Sequence, residues 1–215
     1  MGKEKIIIFG AGGAGREILY VILDINAKKN NYDVLGFIDD TPELQNKIIN
    51  GFPVLGDTSY LLNYDDAISV FLAIANPSAR KDVYNKFSHK QNISFPNIIV
   101  EEVKYLPETF AKAKGCMVSY HCIISPDVFM GDFVFMNACC VIGHDAKIGD
   151  FATLYGGVHI SGNVSVGECA QIGNGARILQ NKSIGENSIV GIGSVVIRNV
   201  SSNTTVFGNP AKLIY

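Results

Sequence analysis

The sequence predicts an α/β domain joined to a parallel β-helix, on the strength of three observations. Charge is unevenly spread: positions 1–117 hold 27 Asp, Glu, Lys and Arg residues, whereas positions 118–201 hold only 10 in 84. Near the start, an apolar strand pattern runs into a glycine cluster and then into a helix pattern. From Val118 onward, an aliphatic residue or Met recurs every six positions. With 215 residues and 47% hydrophobic content, the chain can bury two modest cores.

The first domain, over 1–100, opens with KIIIFGAGGAGREILYVIL at 5–23. This is a β-branched strand, a glycine loop and an amphipathic helix. Gly10, Gly12 and Gly15 satisfy G-x-G-x-x-G in that context, with Gly13 adding to the loop. Such a loop gives a tight turn, close backbone approach to a phosphate, and a helix N-terminus aimed at the anion. About twenty residues on, VLGFIDDT ends a second strand at Asp39 and Asp40, whose carboxylates can accept hydrogen bonds from ribose or sugar hydroxyls. Strand patterns at 52–55 and 67–75, a helix from Pro77 capped by Asn76, and a short strand at 93–95 complete an open, mainly parallel unit. At roughly 100 residues it matches one mononucleotide-binding half of a Rossmann fold, so a nucleotide or nucleotide sugar fits better than NAD.

The second domain, over 118–201, follows a predicted linker at 101–117. Its large column is Val118, Ile124, Met130, Met136, Ile142, Ile148, Leu154, Ile160, Val166, Ile172, Ile178, Ile184, Val190 and Val196. A mostly small column lies four residues after each, running from Cys122 and Val128 through Ala146, Ala152 and Ala170 to Ser188 and Ser194, with Lys182 as the one large exception. Gly directly follows the large position at 131, 143, 149, 167, 173, 185 and 191. A fixed six-residue period is the mark of a parallel β-helix whose coils stack like on like. The form it resembles is the left-handed β-helix, with three hexapeptides per triangular coil. Each buried aliphatic stabilises the stack by about 1.5–3 kcal/mol. A terminal segment follows at 202–215.

Composition excludes several classes of function. A net charge of −2 and a pI near 6.1 give no footprint for binding nucleic acid. No apolar run is long enough to span a bilayer, and the N-terminus lacks the regions of a signal peptide, so a soluble cytoplasmic protein is expected. The five cysteines include no CxxC pair. Cys122 and Cys140 share the small column 18 residues apart, which predicts packing rather than metal or redox chemistry.

The order FGAGGAGREI, GFIDD, hexapeptide β-helix and terminal GNPAK resembles the sugar O- and N-acyltransferase family of the hexapeptide-repeat superfamily. Its members include the bacterial nucleotide-amino-sugar acetyltransferases of bacillosamine and sialic-acid biosynthesis. The resemblance implies an acetyl-CoA-dependent homotrimer with its active site between neighbouring β-helices and the sugar nucleotide held by the first domain. The family's His-acid signature falls on His144 and Asp145 in IGHDAKIG, although many relatives carry Glu in the second place. An amine or hydroxyl attacking a thioester must lose a proton, so His144 is expected to act as general base and Asp145 to orient it. The resemblance also assigns Asn137, Thr153, Gly162, Gly191 and Lys212 to the cofactor. Gly162 would offer a backbone N–H to the thioester carbonyl, and Lys212 a charge to a phosphate. Some relatives have His where Thr153 stands. His159 is a weaker candidate for the same cleft.

The leading expectation is acetyl transfer from acetyl-CoA to an amino group of a UDP- or dTDP-linked 4-amino sugar, with no metal. Sugar O-acetylation of the sialic-acid type is the nearest alternative, and a non-catalytic nucleotide-sugar-binding protein a further one. A zinc enzyme would need His121, His144 and His159 to converge, and an NAD oxidoreductase would need a second βαβ half.

Overall fold

The protein is described by a computed structural model covering residues 2–214 and divides between Pro96 and Asn97. In the first unit, β1 (Glu4–Phe9), α1 (Gly13–Lys29), β2 (Tyr32–Ile38), β3 (Ile48–Ile49), β4 (Phe52–Gly56), α2 (Thr58–Leu62), β5 (Ile68–Leu72), α3 (Pro77–Phe87) and β6 (Ile93–Ser94) follow in order. The sheet runs β3-β4-β2-β1-β5-β6, parallel except for β3 against β4. Its central strand β1 buries Ile6, Ile7, Ile8 and Phe9, as expected of a parallel strand covered on both faces. Asn76 caps α3 by accepting from Ala79 N–H at 3.0 Å, with Pro77 in the first turn. Strand order reverses between β1 and β5, which opens a crevice at their C-terminal ends. The strand pattern at 67–75 shortens to Ile68–Leu72, because the chain turns into the loop before α3.

The glycines of the β1–α1 loop divide by what they do. Gly10 adopts φ +105 and lies against the Ala73 carbonyl, and Gly15 packs α1 onto the Gly10 carbonyl so closely that any Cβ would collide with it. Gly12 and Gly13 face open space at ordinary φ. The fold therefore requires Gly10 and Gly15 but not Gly12 or Gly13. Gly15→Ala is expected to destabilise by about 1–3 kcal/mol through overpacking. By contrast, Gly13→Ala, inside the first helical turn, should hold or raise stability by up to about 1 kcal/mol. Thermal unfolding of the two variants checks the division.

In the second unit, two-residue strands recur every six residues and form three sheets, here called faces. Face 1 carries Met117–Val118, Phe135–Met136, Thr153–Leu154, Gln171–Ile172 and Ile189–Val190. Face 2 carries Ile123–Ile124, Val141–Ile142, His159–Ile160, Arg177–Ile178 and Val195–Val196, and face 3 carries Phe129–Met130, Lys147–Ile148, Ser165–Val166 and Ser183–Ile184. Each strand pairs in parallel with the one 18 residues on, as in Val141↔His159 and Phe129↔Lys147, so one coil is 18 residues. All fourteen residues of the large column point inward, none more than 4% exposed. Lys182 stands half-buried in the small column.

Corners join the faces, and their second residue is left-handed at every step from His121 through Asp127, Asp145 and Asn163 to Gly193. Asn, Asp and Gly suit that conformation. Phe133 and Phe151, which also occupy it, stack on each other at 5.0 Å with planes 6° apart. The glycines that follow the large column have a separate cause. A Cβ on Gly143 would lie 2.5 Å from Gly162 N, and one on Gly149 2.8 Å from Glu168 N, so these glycines set the spacing between coils.

The segment expected as a linker at 101–117 is instead part of the solenoid. Ile98–Ile99 pairs with Met117–Val118, Lys104 bridges to Ile123, and the 3-10 turn Pro107–Phe110 packs on Phe129–Met130. Val100, Val103 and Phe110 are buried there. These residues form an irregular first coil that caps the N-terminal end, because the open edge of coil one needs backbone partners. At the other end, Thr205–Gly208 extends face 1 and Ala211–Leu213 folds back antiparallel on it.

All five cysteines are free thiols. Cys122 and Cys140 stack in the interior and donate to the Asn137 and Tyr155 carbonyls at 3.2 and 3.1 Å. Contact with the Cys122 side chain, together with burial, pushes the Cys140 thiol far above its ordinary value, so it is a protonated packing group.

Candidate active site

The column of corners between faces 2 and 3 carries Pro126–Asp127, His144–Asp145, Gly162–Asn163, Gln180–Asn181 and Arg198–Asn199 on successive coils. Ile142 anchors the chain inside, Gly143 lets the next coil approach, and His144 then projects outward. Asp145 takes φ 59 as the corner turns, and its carboxylate swings back to His144 Nδ1 at 2.7 Å. The shorter Asp therefore reaches the imidazole from the left-handed corner. A carboxylate only accepts, so Nδ1 carries the hydrogen and Nε2 keeps its lone pair. The corner is fixed by Asp145 N–H donating to the Pro126 carbonyl at 3.3 Å and Asn163 N–H to the His144 carbonyl at 2.9 Å.

Gly162 lies directly under the ring. A Cβ there would sit 2.7 Å from Nε2 and 2.8 Å from Cε1 of His144. The amides on either side are committed, Ser161 N–H to the Ile178 carbonyl of the next coil and Asn163 N–H to the His144 carbonyl of the previous one, but no carbonyl among the described residues accepts from Gly162 N–H. A basic nitrogen and an uncommitted donor thus share one small surface, suited to removing a proton from a nucleophile while a developing oxyanion is held. Side chains of His144 and Asp145 are 64% and 52% exposed in the single chain.

The remaining expected cofactor residues lie elsewhere on the solenoid. Asn137 and Gly191 follow the large column on face 1, so they approach the corner between faces 1 and 2, one side of the coil away from His144. Gly191 makes room for the Phe207 ring, which a Cβ would strike. Thr153 is 1% exposed and offers no surface to a cofactor in the isolated chain. Lys212 is exposed on the terminal hairpin. His159 projects from face 2 and accepts from Arg177 Nη1 at 3.2 Å, and His121 lies 3.7 Å from Glu102. Among the described residues no group of three or more His, Cys, Asp or Glu side chains could hold a metal.

In the first unit, Gly10, Gly12 and Gly13 stand at the C-terminal end of β1, with Gly12 at the N-cap of α1 and without a side-chain cap. Asp39 is turned onto this loop: it accepts from Ala11 N–H at 2.7 Å and Thr41 N–H at 2.9 Å. Burial raises its carboxyl, but these hydrogen bonds outweigh burial and hold it below the usual carboxylate range. Its stabilising bonds are present above the ordinary value and are lost as pH falls through the depressed one. Asp40 accepts from Thr58 N–H at 2.7 Å and Thr58 Oγ1 at 2.8 Å, which fixes the start of α2. Both carboxylates therefore shape the crevice, a role the sequence pattern did not distinguish from ligand contact. Sequence reasoning also missed Arg80. It is fully buried and donates from Nη1 to the Ile74 and Ala75 carbonyls at 2.5 and 3.3 Å, bracing the loop opposite Gly10. Its signal is a lone Arg on the apolar stripe of α3.

The family model of the PglD N-terminal domain matches residues 5–87. The acetyltransferase domain of PglB from Neisseria gonorrhoeae, solved with acetyl coenzyme A, is 27% identical with a TM-score of 0.87, over 99% of this chain and 100% of that one. PerB from Caulobacter crescentus, solved with CoA and GDP-perosamine, is 27% identical with a TM-score of 0.86, over 100% and 98%. WeeI from Acinetobacter baumannii is 27% identical with a TM-score of 0.79, over 99% and 100%. No curated protein matches the chain by sequence.

Proposed function

We propose, on the premise that this chain is a member of the hexapeptide-repeat sugar acyltransferase family, that it moves acetyl from acetyl-CoA to the amino group of a nucleotide-linked amino-deoxysugar. One observation carries the reading: the His144–Asp145 pair at 2.7 Å, set over a glycine whose N–H is uncommitted. Its match to PerB, solved with CoA and GDP-perosamine, and to PglB, solved with acetyl coenzyme A, supports that choice of donor and acceptor.

The acceptor nitrogen attacks the thioester carbonyl carbon while His144 Nε2 takes its proton. Asp145 stabilises the imidazolium that forms, and Gly162 N–H holds the oxyanion. On collapse the C–S bond breaks, and the departing thiolate takes the proton back from His144. No covalent enzyme intermediate is needed. Gly12 and Gly13, which the fold does not require, leave room for the acceptor's phosphates at the start of α1.

We further assign the working unit as a homotrimer. His144 is too exposed in one chain to exclude water, and Asn137 lies at a different corner, so a neighbouring β-helix would both cover the pair and bring a second corner to it. No helix among the described residues is long and apolar enough to cross a membrane, and the free thiols fit a reducing cytoplasm.

Thiol release from acetyl-CoA, measured side by side with UDP-, dTDP- and GDP-amino sugars and their hydroxyl counterparts, tests the function. Release is expected with an amino sugar. Release with hydroxyl sugars alone would replace the reading with O-acetylation, and binding without release would make the chain a sensor. Gly13→Ala is expected to raise the acceptor KM about tenfold, the equivalent of one charge-assisted hydrogen bond.

A further inference from the structure

The outward residues of the three faces differ in kind. Face 1 buries Met117, Phe135 and Thr153, none more than 3% exposed. Face 3 turns out Lys147, Ser165 and Ser183 below Phe129. Face 2 turns out Ile123, Val141, His159, Arg177 and Val195 in one straight row, each in register with the residue 18 positions on. Ile123 is 49% exposed, and Leu179, on the same face, 47%. An apolar row left open to solvent marks a contact surface. It is interrupted at one place, where Arg177 Nη1 donates to His159 Nδ1 at 3.2 Å. A guanidinium only donates, so Nδ1 accepts, and His159 is a neutral imidazole with its hydrogen on Nε2. The pair therefore presents donors alone. No outward position of face 2 holds an acid, and among the described residues Arg177 makes no ion pair.

Symmetry fixes where this row lies in the homotrimer. Contacts in a closed ring of three run head to tail: the Asn137 corner of one chain, between faces 1 and 2, meets the His144 corner of the next, between faces 2 and 3. The side that lies between those two corners is face 2, which then turns to the threefold axis in every chain. Three copies of face 2 enclose a triangle with the side length of one coil, a space that residues from three sides fill inside the coil itself. The outward residues of face 2 accordingly meet on the axis. Val141 and Val195 close it above and below the pair, and three guanidinium groups share the layer between them with no carboxylate. Like charges so placed repel, and buried cations need a counter-charge.

We propose that this axial layer is an oxyanion site that takes one tetrahedral anion of the phosphate type per trimer, with the three Arg177 side chains donating to its oxygens and each His159 holding its Arg177 in place. The site rests on the homotrimer assignment and is incomplete in one or two chains. It is separate from the His144 corner and takes no part in acetyl transfer. The anion pins the three β-helices together.

The test is titration calorimetry with inorganic phosphate, in phosphate-free Hepes and chloride, on wild type and Arg177→Gln, beside sedimentation of the same samples. Wild type is expected to bind about one phosphate for every three chains. Arg177→Gln removes three charge-assisted bonds at once and should weaken that binding by about 10³-fold, tenfold for each bond. Phosphate should also raise the melting temperature of wild type and leave that of the variant in place. The wild-type stoichiometry stands whether or not the variant assembles, and it separates the axis from any phosphate held singly by each chain. A wild-type trimer that binds no phosphate, or binds it only once per chain, overturns the axial site, as does equal one-in-three binding by Arg177→Gln. A wild type that sediments as a monomer would instead remove the assembly on which the site rests.

Discussion

His144→Ala is expected to lower kcat by about 10²–10⁴, the range a positioned general base supplies, while leaving the fold intact. Its side chain is 64% exposed, lies outside both inward columns, and among the described residues pairs only with the neighbouring Asp145. Unfolding should therefore shift by no more than about 0.5 kcal/mol, as for most surface substitutions. Acetyl-CoA should bind as before, since Gly162 is not touched. Thiol release under saturating donor and acceptor, beside a thermal melt of the same sample, gives both readings. Full activity in a folded His144→Ala protein would remove the general base from the mechanism.

Gly162→Ala is expected to cost about 10²-fold in kcat, by a different route. A methyl group at Gly162 would stand 2.7 Å from His144 Nε2, inside van der Waals contact, so the ring must tilt away from the surface where the nucleophile arrives. Displacement of a catalytic group by about 1 Å has an effect of that size. The N–H of residue 162 remains, so the loss isolates ring position from oxyanion binding. A second variant keeps the interpretation sharp: Asn163→Gly, one residue on and at a left-handed φ of 56, suits the backbone and leaves the ring alone. Near-wild-type kcat in Gly162→Ala would mean that the imidazole does not work from the position described.

The solenoid was readable because its information is local and periodic. Ile142 or Val166 is inward by virtue of its place in a six-residue count, and the count survives every coil. His144, Asp145 and Gly162 came from the resemblance and not from the count, which adds only that Gly162 lies one 18-residue coil below His144. The capping segment was not, because Ile99 pairs with Val118 at a spacing of 19 and the segment has no column of its own to reveal it. Thr153 was assigned to the cofactor through the resemblance alone, and the structure buries it, because its outward position on face 1 is covered. Asp39 fitted a ligand-contact pattern, and only the approach of Ala11 across 28 residues of chain identifies its partner.

The two capped ends also govern what the solenoid does in bulk. Each coil presents its neighbour with N–H and C=O groups at the same spacing, so an open end is a template on which another molecule can polymerise. At the N-terminal end, Ile98–Ile99, Lys104 and the Pro107–Phe110 turn occupy that template. At the C-terminal end, Ala211–Leu213 runs against the strand direction, leaving a short edge of reversed polarity on which a parallel coil finds no register. End-to-end growth into filaments is thereby blocked, and lateral association remains open to the β-helix.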